Sequence, residues 1–274
     1  MKKILLTLVL AWISTSYLVA QQESVTFRQG DQKVEVSVGG QPFADYHTSP
    51  DLPKPFFSPV HGADGTILSR PLENPEDHKH HKGIWLSIDE VNAIKFWAED
   101  GKIVNQSAGF ADSQKDSPGT MTIVNHWMGT NGEPLLIETT KLSIFPNRLM
   151  IYDISLAAAK EPVTFGDTKE GLFGFRMVNS LREKETGKVV NADGLQGTKE
   201  CWGKPSAWVD YYGEVDGKIF GVTLMDHPGN FRPSRYHVRD YGLFSMSPFG
   251  ESSYTGGASE AAPLTLKPGE SVQL

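Results

Sequence analysis

Three of the eight histidines stand together in Asp77-His78-Lys79-His80-His81-Lys82-Gly83-Ile84-Trp85, just before a run of strand-forming residues. Imidazoles titrate near neutrality, so such a cluster can supply a general acid or base, or metal ligands. In an extended segment His78 and His80 point one way and His81 the other, which argues against a zinc triad made of these three alone. A divalent metal ion would need ligands from His61, His227, His237 or a carboxylate. The spacing fits no helical zinc-protease motif, so no cofactor is expected and a metal is the minor alternative.

Two further stretches carry chemistry. In Gly166-Asp167-Thr168-Lys169-Glu170-Gly171, followed by Leu172-Phe173-Gly174-Phe175-Arg176, acids and bases lead into an apolar strand. The third, Asp226 to Phe244, mixes imidazole, guanidinium and aromatic groups, among them His227, Arg232, Arg235, His237, Arg239 and Tyr241. Guanidinium forks suit carboxylates and vicinal hydroxyls, and aromatic faces suit sugar rings. The expected ligand is therefore a sugar or oligosaccharide. His81 or His237 is the expected acid and Glu170 the expected base. Arg70, His78, Trp85, Asp167, Arg176, His227 and Arg239 are the expected positioning groups, with Trp85 or Trp97 as the ligand-facing indole. The alternative is a glycan-binding protein without catalysis.

The absences narrow the field. There is no phosphate-cradling glycine loop, no Gly-x-Ser-x-Gly turn, no Cys-Cys metal knuckle and no dinucleotide fingerprint. Met1-Lys2-Lys3, the apolar run Ile4 to Ile13 and small residues ending at Ala20 have the layout of a cleavable export signal. Residues 1–20 are thus expected to be removed from a periplasmic or secreted chain, although Leu18 departs from the small-residue cleavage pattern. Nothing after that leader is long and apolar enough to span a bilayer. Without Lys2 and Lys3 the 26 basic residues become 24 against 33 acids, a formal −9, which argues against a nucleic-acid partner. The one cysteine, Cys201, leaves an exported chain without an internal disulfide, so its core must suffice.

These residues need a scaffold, and the rest of the chain reads as strands. Alternating or β-branched runs occur at 25–27, 33–38, 83–88, 120–128, 135–145, 148–156, 172–178, 207–212 and 218–225. Asp64-Gly65, Asn131-Gly132, Pro146-Asn147, Asp193-Gly194 and Asp216-Gly217 punctuate them as turns. The expected fold is all-β: one large two-sheet antiparallel β-sandwich over residues 21–274, with a propeller as the main alternative, for which no fixed-period repeat is found. Two long irregular loops, about 49–82 and 226–257, are expected to carry the site. The ending at Leu274 reads as a strand just begun, hence a truncated carboxyl end.

The motifs Pro55-Phe56-Phe57-Ser58-Pro59-Val60, Asp64-Gly65-Thr66, Asp77 to Trp85, Phe96-Trp97, Gly166 to Gly171, Tyr236 to Phe244 and Pro248-Phe249-Gly250 resemble the secreted bacterial family labelled "methane oxygenase PmoA". They run in order from about Phe43 onward. That label belongs to a bundle of transmembrane helices, so methane oxidation is rejected here. The resemblance implies a β-sandwich similar to galactose mutarotases. Such enzymes pair a histidine acid with a glutamate base, but their motif string is not reproduced, and fold alone does not decide function.

Overall fold

The computed structural model describes residues 24–114 and 117–274, so the expected export signal lies outside the described residues. Strand accounts for 47% of the structure and helix for 5%, which makes the class all-β. An eight-stranded sheet runs in the order β1 (Val25–Gly30), β2 (Lys33–Val38), β3 (Gln41–His47), β4 (Phe56–Val60), β5 (Ile84–Leu86), β11 (Phe173–Arg176), β16 (Leu243–Ser247), β15 (Arg235–Val238). A five-stranded sheet packs on it, in the order β18 (Ser271–Gln273), β9 (Met150–Ala158), β8 (Pro134–Ile144), β7 (Gly119–Met128), β6 (Ile103–Ala111). The described ladders are antiparallel.

Alternation makes this packing possible. In β2 Val34, Val36 and Val38 are buried while their neighbours are not, and in β7 Met121, Ile123, Asn125 and Trp127 point inward. The first set meets Met121 and Ile123 of the opposing sheet in one apolar core. One polar group inside it is fully paired: the buried Glu138 carboxylate accepts from Asn125 Nδ2, Trp127 Nε1 and Thr140 Oγ1.

Two smaller sheets go beyond the expected pair. β12 (Lys188–Asn191), β13 (Trp208–Val215) and β14 (Lys218–Met225) add Val189, Val209, Tyr211 and Val215 to the main core. β10 (Val163–Phe165) and β17 (Leu264–Leu266) close a second core around Trp127, Leu136 and Leu156. Asp216-Gly217, both at positive φ, form the two-residue turn between β13 and β14. Among the described residues no helix is long and apolar enough to cross a membrane.

The supposed loop 226–257 in fact holds β15, β16 and a short helix, α2 (Glu251–Thr255). β15 and β16 escape a pattern search because they are short and buried on both faces, with His237, Ser245 and Ser247 at covered positions. Likewise, loop 49–82 contains β4.

Candidate functional site

Sheet register builds the site. Trp85 of β5 pairs with Gly174 of β11, Gly174 with Ser245 of β16, and Ser245 with His237 of β15. One step along, Arg176 pairs with Leu243, Arg176 N donates to Gly83 O, and Arg239 N donates to Leu243 O. Residues two apart on a strand share a face, so Trp85, Arg176, His237 and Arg239 belong to one face of the large sheet. The intervening residues Ile84, Phe175, Phe244 and Val238 turn to the opposite face and join the main core. Gly174 is required where it stands, because a Cβ there would lie 2.4 Å from the Trp85 indole.

The histidine segment lies over this face, and it is a turn rather than an extended strand. His81 N donates to His78 O at 2.9 Å. Arg70 gathers the turn from inside: Nη1 donates to Asp77 O and Asp77 Oδ1, and Nη2 to His78 O and His81 O. The chain then leaves through Gly83, at φ +55°, where a Cβ would sit 1.9 Å from Phe57 O. Curling replaces the expected split of His78 and His80 against His81 with a column of rings. His81 stacks on Trp85 at 5.3 Å, His78 on His81 at 4.7 Å, and Tyr241 on His78 at 4.9 Å.

Asp77 ties the turn to the sheet. Its Oδ1 accepts from Arg70 at 2.5 Å and from Arg176 Nη2 at 2.7 Å. Burial raises the Asp77 carboxyl, but the charges of Arg176, His78 and Arg70 outweigh it and hold the group below its usual range. Arg176 Nη1 donates to His81 Nδ1 at 3.0 Å. A guanidinium only donates, so His81 keeps its proton on Nε2. Burial, with His80 and Arg176 nearby, lowers the His81 pKa far below the ordinary imidazole value and fixes the ring as neutral. Beneath the turn, the fully buried Lys54 donates to His80 O and to Glu99 Oε1, which Lys82 also reaches. Burial brings Lys54 down to about 8 against the pull of Glu99.

On the other side of Tyr241 stands an acid–base pair. Glu170 Oε2 is 3.7 Å from His237 Nδ1, which is 3.1 Å from Lys169 O. A carbonyl only accepts, so His237 carries its proton on Nδ1 and its lone pair on Nε2. Burial lowers His237 to about 4, and the charges of Arg239 and Lys169 push the same way. Burial raises the Glu170 carboxyl, Lys169 and Arg239 pull it down, and Asp89 pushes it up. Glu170 and Arg239 also act on the Tyr241 hydroxyl, which burial raises. The Arg239 guanidinium lies 5.8 Å from the Tyr241 ring, is exposed, and makes no hydrogen bond or ion pair among the described residues.

Thus His78, His81, Arg176, Tyr241, Arg239, Glu170 and His237 gather on one face, while other expected members do something else. Trp85 is only 2% exposed, roofed by His81 and packed with Phe56, Trp97 and Leu243, so it supports the column instead of facing a ligand; Trp97 is equally covered. Arg70 is occupied by loop carbonyls and Asp77. Asp167 accepts from the backbone N–H groups of Ser252, Ser253 and Ala262 and so staples α2 to the Glu170 loop. His227 is exposed, accepts from Gly229 N, and touches none of the gathered residues. Asp77 and Tyr241 stood in the chemistry-bearing stretches without an expected role, and Lys54 and Glu99 lay outside them. Asp77 adjoins the histidines and Tyr241 lies in the Arg239-Asp240-Tyr241-Gly242 turn, so both had a local signal. Lys54 and Glu99 are 45 positions apart and had none.

Among the described residues, no three or more His, Cys, Asp or Glu side chains are arranged to hold a metal ion. The chemistry on offer is hydrogen bonding, ring stacking and proton transfer. No curated protein matches the chain. The family comparison carries no activity, and neither the methane-oxygenase label nor the mutarotase likeness comes with it. Residues 33–274 match the family described as a family of unknown function, DUF6807, and the chain belongs to that family.

Proposed function

We propose that this is an exported, carbohydrate-active enzyme that uses Glu170 and His237 for acid–base chemistry on a sugar or oligosaccharide. The observation that carries the reading is the Glu170–His237 pair, 3.7 Å apart, near Tyr241 and near Arg239, whose guanidinium has no hydrogen-bond or ion-pair partner among the described residues. Burial raises the carboxyl and lowers the imidazole to about 4, so the imidazole no longer holds a proton more tightly than the carboxyl. A carboxyl and an imidazole placed together can exchange protons with a bound ring, each contributing about 10²–10⁴-fold to rate. His237 offers an acceptor at Nε2. His81, neutral, as covered as Trp85 and stacked between it and His78, holds the ring column in place instead of acting as the acid first expected of it. Tyr241 offers a ring face and Arg239 a fork for hydroxyls or a carboxylate. Anomer interconversion, hydrolysis and β-elimination all fit these groups.

The test is proton NMR of a sugar and oligosaccharide panel incubated with the protein, following anomeric and vinylic signals. New or re-equilibrating signals that fall about 10²–10⁴-fold in rate in Glu170→Gln and His237→Gln support the reading. Line broadening without product favours a glycan-binding protein, a role that the ring column of Tyr241 and His78 would also serve. Turnover unchanged in both variants removes the acid–base assignment.

A further inference from the structure

A cavity of about 140 Å³ lies beside the ring column and is lined by Arg176 and Asp77, which also hold that column. Arg176 makes the connection: its guanidinium carbon lies 4.9 Å from the Tyr241 ring, and its nitrogens hold His81 and Asp77. The same plank, the buried Arg70 and Arg176 joined by the partly exposed Asp77, therefore backs the histidine turn and walls the cavity.

The lining points to a ligand class. Arg70, Arg176 and Arg182 face Glu73, Glu76 and Asp77, three cations against three anions. The cations are also engaged: Arg70 and Arg176 on Asp77, Arg182 on Asn179 O and Glu185. A free anion would find no uncompensated positive charge there. A neutral group rich in hydroxyls would find donors and acceptors on both sides, in a space that holds several water molecules. The Asn179 side chain forms no hydrogen bond among the described residues.

We infer that this cavity is a second subsite, which takes a neutral pyranose unit next to the one held at Tyr241, Glu170 and His237, so that the ligand is an oligosaccharide. This rests on the sugar reading above. It also accounts for two arginines being buried side by side, since their joint position on Asp77 sets the wall common to both units.

The experiment is calorimetric titration of the protein with glucose, galactose, mannose and xylose and with their β-1,4-linked di- and trisaccharides. The expected result is at least one series whose longer members bind about tenfold tighter than the monosaccharide, the worth of one or two net hydrogen bonds. Asn179→Trp, which fills the cavity, should erase that gain and leave monosaccharide affinity unchanged. Glu73→Trp does the same from an exposed lining position if the first variant does not fold. Affinities independent of length, or a gain that survives both fillings, overturn the subsite and leave the sugar reading intact. Absence of binding by every sugar in the panel overturns both.

Discussion

Arg70 and Arg176 differ from Arg239 in everything but residue type, although Arg176 and Arg239 touch the same tyrosine. The first two are 6% and 1% exposed, and their Nη nitrogens are bound to Asp77, to His81 and to the carbonyls of the histidine turn. Arg239 is exposed and its guanidinium has no such partner among the described residues. The buried pair shapes the site, whereas Arg239 is left to meet a ligand. A buried cation must be matched where it lies, and once matched it has little left to offer a substrate.

The contrast can be broken most forcefully at Arg176. Arg176→Ala leaves Asp77 with one cation fewer and exposes the His81 lone pair to an empty space. The expected loss is about 1–3 kcal/mol of stability, less than for a fully buried pair because Asp77 is partly exposed and keeps Arg70. Chemical denaturation should show it as a lowered midpoint, and a change below about 1 kcal/mol would mean that the plank is not structural.

A smaller effect lies in pH. His80 and His237 are lowered to about 4 and His81 further, against about 6.5 in an unfolded chain. Between those values the unfolded state binds more protons, so stability contributed by these neutral rings is present above about pH 6.5 and declines toward pH 4. The raised carboxyls of Glu138 and Glu170 work in the opposite sense, favouring the folded state at low pH and losing that contribution as pH rises. Comparing wild type with His237→Gln isolates the imidazole: the variant should lose less stability on going from pH 6.5 to pH 4. Parallel curves would show that His237 is not buried as a neutral ring.

The smallest expected effect on stability is at Arg239. Arg239→Gln should leave the unfolding free energy within about 0.5 kcal/mol, as for exposed positions generally. Sugar affinity should fall several-fold at the same time. A variant that melts early but binds normally would place Arg239 with the buried pair and erase the distinction.

Local sequence determined a good part of this molecule. Alternation in 33–38 and 218–225 marked β2 and β14 at their true limits, and Asp216-Gly217 and Pro146-Asn147 sit in hairpin turns. The histidine cluster, Glu170, Arg239 and His237 stood out by residue type. These are properties of a few neighbouring residues, which is why they can be read without a fold. Partnership across the chain cannot be read this way. Asp77 meets Arg176 over 99 positions, Lys54 meets Glu99 over 45, and the row Trp85, Gly174, Ser245, His237 exists only through the register of four strands. Tertiary structure therefore decided which arginine is buried, that His78 and His81 stack, and that Trp85 is roofed. Burial and pairing depend on what the rest of the chain brings alongside.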